Sequence, residues 1–391
     1  MPWKLKGKIE QRFDLVRQMA AGKLSVSELC RRFLVSRQTA YKWRKRFRLR
    51  RLSGLRDKSR RPLSLAVQTT PWWLRRVRQI RRRRPTWGAR KLRPELSRRF
   101  ASRGAPSVAT ISRWLKRWGL SRGKRRRLAG PQMRRRAVRV SKGCHDVWTV
   151  DFKGWYRTGD GTRVEPLTVR DLYSRYGLAI VLLRTQAAVP TQREFRRLFL
   201  RHGLPRRIRC DNGSPFGAIG TTGLTRLSAW WVKLGIEVEF ITPGRPCENG
   251  AHEQFHRVYK AEVARKPERT RLAQQRRSDR WLRDYNEHRP HEGIAMKRPV
   301  EVFEPNQRRL PKRIGRWKYP PGWPSRWVKG NGEINWRGVR RFVGEAFVRD
   351  YVGLKPMERE KWKVYFGPIL VGELYQKEVG SIRMARYRRG R

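Results

Sequence analysis

Residues 147–152, Val-Trp-Thr-Val-Asp-Phe, alternate as a β-strand does, and Asp151 sits inside the run. A carboxylate within an apolar strand costs free energy unless it is paired or metal-bound. Downstream, Arg163 to Val169 and Tyr176 to Leu183 predict two more strands of a meander. Thr191 to His202 predicts a helix, and Arg206 to Cys210 a short strand ending at Asp211-Asn212-Gly213. Thr225 to Leu234 reads as helix, and Ile236 to Ile241 as a strand that Pro243-Gly244-Arg245-Pro246 breaks. A helix then runs from Asn249-Gly250 to about Ala264, and another from Leu272 to Tyr285. The order β-β-β-α-β-α-β-α-α describes an α/β core on a mixed five-stranded sheet.

Only ten aspartates occur in 391 residues, and two of them, Asp151 and Asp211, fall at strand positions able to converge. Glu253 lies one turn into the helix after the last strand. Three carboxylates from adjacent strands and a packed helix form an all-oxygen set suited to two Mg²⁺ ions, with Mn²⁺ as substitute, for phosphodiester chemistry. Asp151, Asp211 and Glu253 are therefore the expected catalytic and metal residues. Arg257 and Lys260 follow Glu253 by four and seven residues and Asn249 precedes it by four, so all three are expected on its face, against DNA.

Charge divides the chain. Lys plus Arg total 97 against 31 acidic residues, a formal charge of +66 that calls for an anionic partner. Residues 1–142 hold 46 basic and 5 acidic residues, whereas residues 143–311 hold 31 and 19. The front third therefore suits a phosphate backbone. Within it, Ser25 with Glu28 forms a capping box, Leu34-Val35 a short turn, and Ser36 a cap for a helix to about Phe47. Helix, tight turn and helix is a DNA-reading layout. Arg37, Gln38, Lys42 and Lys45 are expected toward DNA, with Ala40, Tyr41 and Trp43 as anchors. The layout recurs over Trp73 to Ile80, Ala89 to Phe100 and Val108 to Trp118, where Arg113, Lys116 and Arg117 would face DNA. Double-stranded DNA is thus the expected partner.

These residues resemble those of the bacterial insertion-sequence transposases of the DDE type, with a retroviral-integrase-like catalytic core of ribonuclease-H-like fold. The resemblance rests on Val150-Asp151-Phe152-Lys153-Gly154, Asp171 to Tyr176, Asp211-Asn212-Gly213 and Pro243 to Pro246. It continues through Asn249-Gly250-Ala251-His252-Glu253, Tyr285-Asn286 and Arg289-Pro290-His291. It implies metal-binding acids at Asp151, Asp211 and Glu253, paired helix-turn-helix units ahead of the core, and a homo-oligomer on DNA. It further implies binding of terminal inverted repeats, cleavage to expose 3′-hydroxyls, and strand transfer into target DNA. The 42-residue gap from Asp211 to Glu253 is longer than in many relatives, and Gly217 to Ala229 reads as the extra material.

The expected organisation is a first helix-turn-helix domain at 1–60, a second at 70–120, a basic linker at 121–142, the core at 143–311, a small β-barrel at 312–380 and a basic tail at 381–391. The barrel is read from six short alternating runs between Arg326 and Leu374.

Two other readings compete. One is a catalytically inactive DNA-binding regulator that keeps the front arm. The other is a zinc hydrolase, because His252-Glu253-Gln254-Phe255-His256 matches H-E-x-x-H. That motif leaves Asp151, Asp211 and the basic arm unexplained. Roles for His256, His288 and His291 stay open at this level. The first residues carry Lys4, Lys6, Lys8 and Glu10 with no apolar run after them, and Tyr176 to Leu183 is too short to span a bilayer. Cys30, Cys144, Cys210 and Cys247 form no C-x-x-C pair. A cytoplasmic, nucleoid-associated protein without disulfides is expected.

Overall fold

The computed structural model describes residues 7–58, 70–121, 140–218, 222–242, 246–358 and 360–385. The chain forms two units, residues 1–69 and 70–391. Nearly all of the expected basic linker, Pro243 to Arg245, and the end of the tail lie outside the described residues.

The first unit is three helices: α1 Lys8–Ala21, α2 Val26–Phe33 and α3 Arg37–Gly54. Ser25 Oγ accepts the Glu28 amide while the Glu28 carboxylate accepts the Ser25 amide, so the capping box forms as read. The turn places Leu34 at φ 53°, a left-handed conformation that is costly outside glycine. Ser36 caps α3 through the Thr39 amide. Leu15, Met19, Leu29, Cys30 and Ala40 make one apolar cluster, and Val16, Trp43 and Leu55 another. Tyr41 is half-exposed rather than an anchor, because Trp43 takes the inward position on α3.

The second unit opens with α4 Pro71–Arg83, α5 Ala89–Arg99 and α6 Val108–Arg117, packed around Trp73, Val77, Trp87, Leu92, Leu96, Ile111 and Leu115. The core follows as β1 Val147–Phe152, β2 Tyr156–Arg157, β3 Arg163–Asp171, β4 Gly177–Leu183, α7 Ala188–His202, β5 Arg207–Cys210, α8 Arg226–Lys233, β6 Glu237–Phe240, α9 Gly250–Tyr259 and α10 Arg271–His288. A π-helical turn, Lys260–Ala264, continues α9. The principal strand order is β4-β3-β1-β5-β6, antiparallel from β4 to β1 and parallel from β1 to β6. The sheet is thus mixed, and β2 adds a short sixth strand against β3 where five were expected.

Period-two alternation sends the two faces of β1 to different helices. Trp148 and Val150 pack with Phe195, Phe199 and Trp231 of α7 and α8. The opposite face meets α9 and α10, where Phe255, Tyr259, Leu282 and Tyr285 cluster with Ile180. Gly177 lets α10 come close: a Cβ there would stand 2.4 Å from Leu282 Cδ1. Asn286 then clips the same glycine, accepting from its amide at 2.8 Å and donating to its carbonyl at 2.9 Å.

The C-terminal region adds β7 Ser325–Trp327, β8 Glu333–Trp336, β9 Val339–Phe342, β10 Tyr351–Met357, β11 Lys361–Phe366, β12 Ile369–Tyr375, β13 Gly380–Ser381 and β14 Arg383–Met384. The strand-rich C-terminal region is built of two sheets, β14-β12-β11-β10-β7 and β13-β9-β8, which share one core of Val328, Ile334, Trp336, Val352, Leu354, Val364 and Phe366. Residues 380–384, assigned mostly to a free tail, pair with β9 and β12, which satisfies their backbone groups.

Candidate active site

Parallel pairing aligns Thr149 with Arg209, so two residues further along, Asp151 of β1 and Asp211 just past β5 emerge side by side at the strand ends. Burial, then Asp211, then Glu253 push the Asp151 carboxyl up to about 7. Asp151 therefore feels both of the other acids, as a carboxylate near like charges in a poorly solvated place must. Burial also raises Asp211, and its buried Oδ1 has no hydrogen-bond partner. Glu253 is exposed in the first turn of α9. Among the described residues, no three His, Cys, Asp or Glu groups are drawn close enough to hold one ion.

The donor set itself fits a hard divalent cation. It is all carboxylate oxygen, one buried oxygen is unsatisfied, and a cation would relieve the repulsion that lifts Asp151. Three other carboxylates of the core are engaged in hydrogen bonds to backbone amides. Asp171 is fully buried and accepts from the His145 and Ser174 amides, and Asp160 accepts from the Thr162 amide. Glu248 accepts from the Thr242 amide.

Lys153, two residues after Asp151, is half-buried, and desolvation followed by Lys260 lowers its ammonium below the usual range. Two lysines thus flank the acids, and the sequence reading named only one of them as a site residue. Arg257 and Lys260 are exposed with Glu253, whereas Asn249 is buried, so the helix splits the trio expected on DNA. In the helical units, Arg37, Gln38, Lys42 and Lys45 are exposed on α3, and Arg113, Lys116 and Arg117 on α6.

The histidines of the H-E-x-x-H match behave differently from zinc ligands. His252 is fully buried, with Nδ1 2.8 Å from Thr149 Oγ1 and Nε2 2.7 Å from Thr168 Oγ1. Both of its ring nitrogens are engaged, so the pair lacks the free imidazole lone pairs that zinc needs. His256 also reaches Thr168 Oγ1 through Nε2, at 2.7 Å, and its Nδ1 lies 3.7 Å from Asp151 Oδ2. His288 ends α10. His291 is half-buried beside Tyr285, and desolvation holds it far below its ordinary value. Among the described residues no helix is long and apolar enough to cross a membrane, and Cys30, Cys144 and Cys210 are free thiols.

Family models match the chain region by region. An integrase core domain matches residues 143–246 and, in a second description, residues 234–299. A helix-turn-helix domain matches 11–62, a homeodomain-like domain 39–115, and the C-terminal domain of the IS481 family of transposases 324–380. The 39.2 kDa protein of insertion element IS476 of Xanthomonas euvesicatoria is 28% identical over 262 residues, 66% of this chain and 72% of that protein. The 31.7 kDa protein of insertion element IS407 of Burkholderia multivorans is 28% identical over 192 residues, 49% of this chain and 67% of its own length. Among solved structures, the HTLV-2 integrase catalytic core domain in complex with magnesium matches 42% of this chain and 100% of that domain, at 13% identity and a TM-score of 0.34.

Proposed function

We propose that this chain, which belongs to the insertion-sequence transposases with a retroviral-integrase-like core, binds the terminal inverted repeats of its element, cleaves to expose 3′-hydroxyls, and joins them to target DNA. The observation that carries this reading is the emergence of Asp151 and Asp211 from adjacent parallel strands, with Asp151 lifted to about 7 by burial, Asp211 and Glu253. Asp151, Asp211 and Glu253 would hold divalent cations, Mg²⁺ or Mn²⁺, which supply charge stabilisation at the attacking and leaving oxygens. Lys153, Arg257 and Lys260 would hold the DNA backbone beside them, because clustered ammonium and guanidinium groups neutralise phosphate. The exposed groups of α3 and α6 would read the element ends, and synapsis of two ends would require an oligomer. The test is strand transfer by purified protein on duplexes bearing the element ends. Asp151→Asn should bind those duplexes as wild type does and transfer no strand; retained transfer overturns the assignment.

One observation favours a second reading, a catalytically inactive DNA-binding regulator: among the described residues the acids do not close into a three-ligand cluster. A wild-type protein that binds its ends yet never cuts them with either cation would establish it.

A further inference from the structure

The H-E-x-x-H segment is left without a task once zinc chemistry is set aside, yet both of its histidines are buried beside the acids. Hydrogen-bond accounting says what they do. Thr168 lies opposite Asp151 in the β1–β3 pairing, and its hydroxyl donates its one hydrogen to the Asp151 carbonyl at 2.9 Å. The same oxygen lies 2.7 Å from Nε2 of His252 and 2.7 Å from Nε2 of His256. With the hydroxyl hydrogen used, the oxygen can only accept from both rings, so each Nε2 carries a hydrogen. His252 Nδ1 is then an acceptor and takes the Thr149 hydroxyl at 2.8 Å, a closer acceptor than the Arg170 carbonyl at 3.4 Å. The two rings meet nearly edge to face, with centroids 4.7 Å apart at 87°.

We propose that His252 and His256 are positioning residues: through Thr149 and Thr168 they lock α9 onto β1 and β3 and so set where Glu253 stands relative to Asp151. The geometry suits that task. The two histidines are four residues apart on one face of α9, roughly 6 Å along its axis. Glu253 lies between them in sequence. One tie would let the helix roll or slide; two ties one turn apart, converging on a single oxygen fixed to the Asp151 backbone, stop both movements. Arg170 of β3 adds a third tie, donating to the Ala251 carbonyl at the start of α9.

The inference rests on the proposed metal-dependent function, and its test separates the two. Cation affinity is measured by calorimetry with Mn²⁺ on DNA-free protein, alongside the Mg²⁺ concentration that half-activates strand transfer. For Thr168→Val and His256→Ala, both quantities should weaken about 10–100-fold, the usual cost of losing a group that orients a metal's ligands. His256→Gln, whose amide nitrogen can reach where Nε2 was, should restore most of the loss. A merely structural role would lower stability and the yield of folded protein but leave both midpoints unmoved. The wild-type protein offers a check that needs no variant: nitrogen chemical shifts should show both rings as the Nε2–H tautomer, and a different tautomer at either ring overturns the network. If Asp151→Asn abolishes transfer while Thr168→Val and His256→Ala match wild type in both midpoints, the lock is wrong and the function stands. If Asp151→Asn remains active, the function itself is wrong.

Discussion

Arg84, just past the end of α4, grips Asp284 of α10 with both terminal guanidinium nitrogens. Beside this pair, Thr86 donates to Glu262, and Glu262 also accepts from Arg289 at 3.1 Å and from the Trp281 indole at 2.6 Å. The second helix-turn-helix is thus seated on the helix that carries Glu253 and on its neighbour. A two-pronged guanidinium–carboxylate pair fixes orientation as well as distance. Asp284→Ala should release α4–α6 locally by about 1 kcal/mol, given that both partners keep some exposure. Hydrogen exchange of the α4–α6 amides in a double-mutant cycle with Arg84→Ala measures this, and additive effects would show that the pair is not coupled.

Asp151 makes the site costly to fold without a cation. Its folded value of about 7 lies above an unfolded value of about 3.9. The folded state therefore binds more protons between those limits, and stability falls as pH rises through that window. Above pH 7 the ionised carboxylate is a net burden. Asp151→Asn, measured without divalent cation, should be more stable than wild type at pH 8 by roughly 1 kcal/mol or more, with the advantage vanishing below about pH 4. Thermal melts across pH would expose a wrong sign at once.

Lys91 carries the opposite burden at the seat of the second helix-turn-helix. Desolvation, then Arg289, lowers its ammonium to about 7, against an unfolded value of about 10.4. The unfolded chain binds more protons between these values, so stability rises with pH there and the penalty is greatest below pH 7. Lys91→Met should stabilise the protein more at pH 6.5 than at pH 10, by roughly 1 kcal/mol at the lower pH. An equal effect at both pH values would mean that Lys91 titrates normally.

The exposed face of α3 should divide into two kinds of contact. Gln38→Ala should cost about 1–3 kcal/mol on the element ends and relax the preference at one base pair, as a side chain that reads base edges does. Lys45→Ala should weaken binding to all sequences alike and reduce the salt slope by about 1, as a phosphate contact does. Titrations at several salt concentrations, on element-end and scrambled duplexes, separate the two. Equal losses on both duplexes for Gln38→Ala would remove it from the reading face.

The elements were legible from the residues because their signals are local. The Ser25–Glu28 capping box, the Ser36 cap and the alternation of β1 all appear where the residues predict them. The missed features depend on neighbours distant in the chain. Tyr41 looked like an anchor until Trp43 filled the pocket, and Asn249 shares a helical face with Glu253 in spacing but is buried by the fold. The basic composition of residues 381–391 reads as a tail, yet β9 and β12 supply partners for residues 380–384.

The division follows from the range of the forces. Apolar periodicity, caps, turn residues and net charge act within a few positions, so the residues by themselves determined the helix-turn-helix units, the α/β order and the basic front arm. Meeting points are another matter. His252 finds Thr149 across 103 positions and Thr168 across 84, and nothing local marks a threonine as the acceptor for two imidazoles. Only the packed sheet and α9 could turn a zinc-like motif into a hydrogen-bonded lock, because burial left each ring nitrogen needing a partner that the chain had to bring from elsewhere.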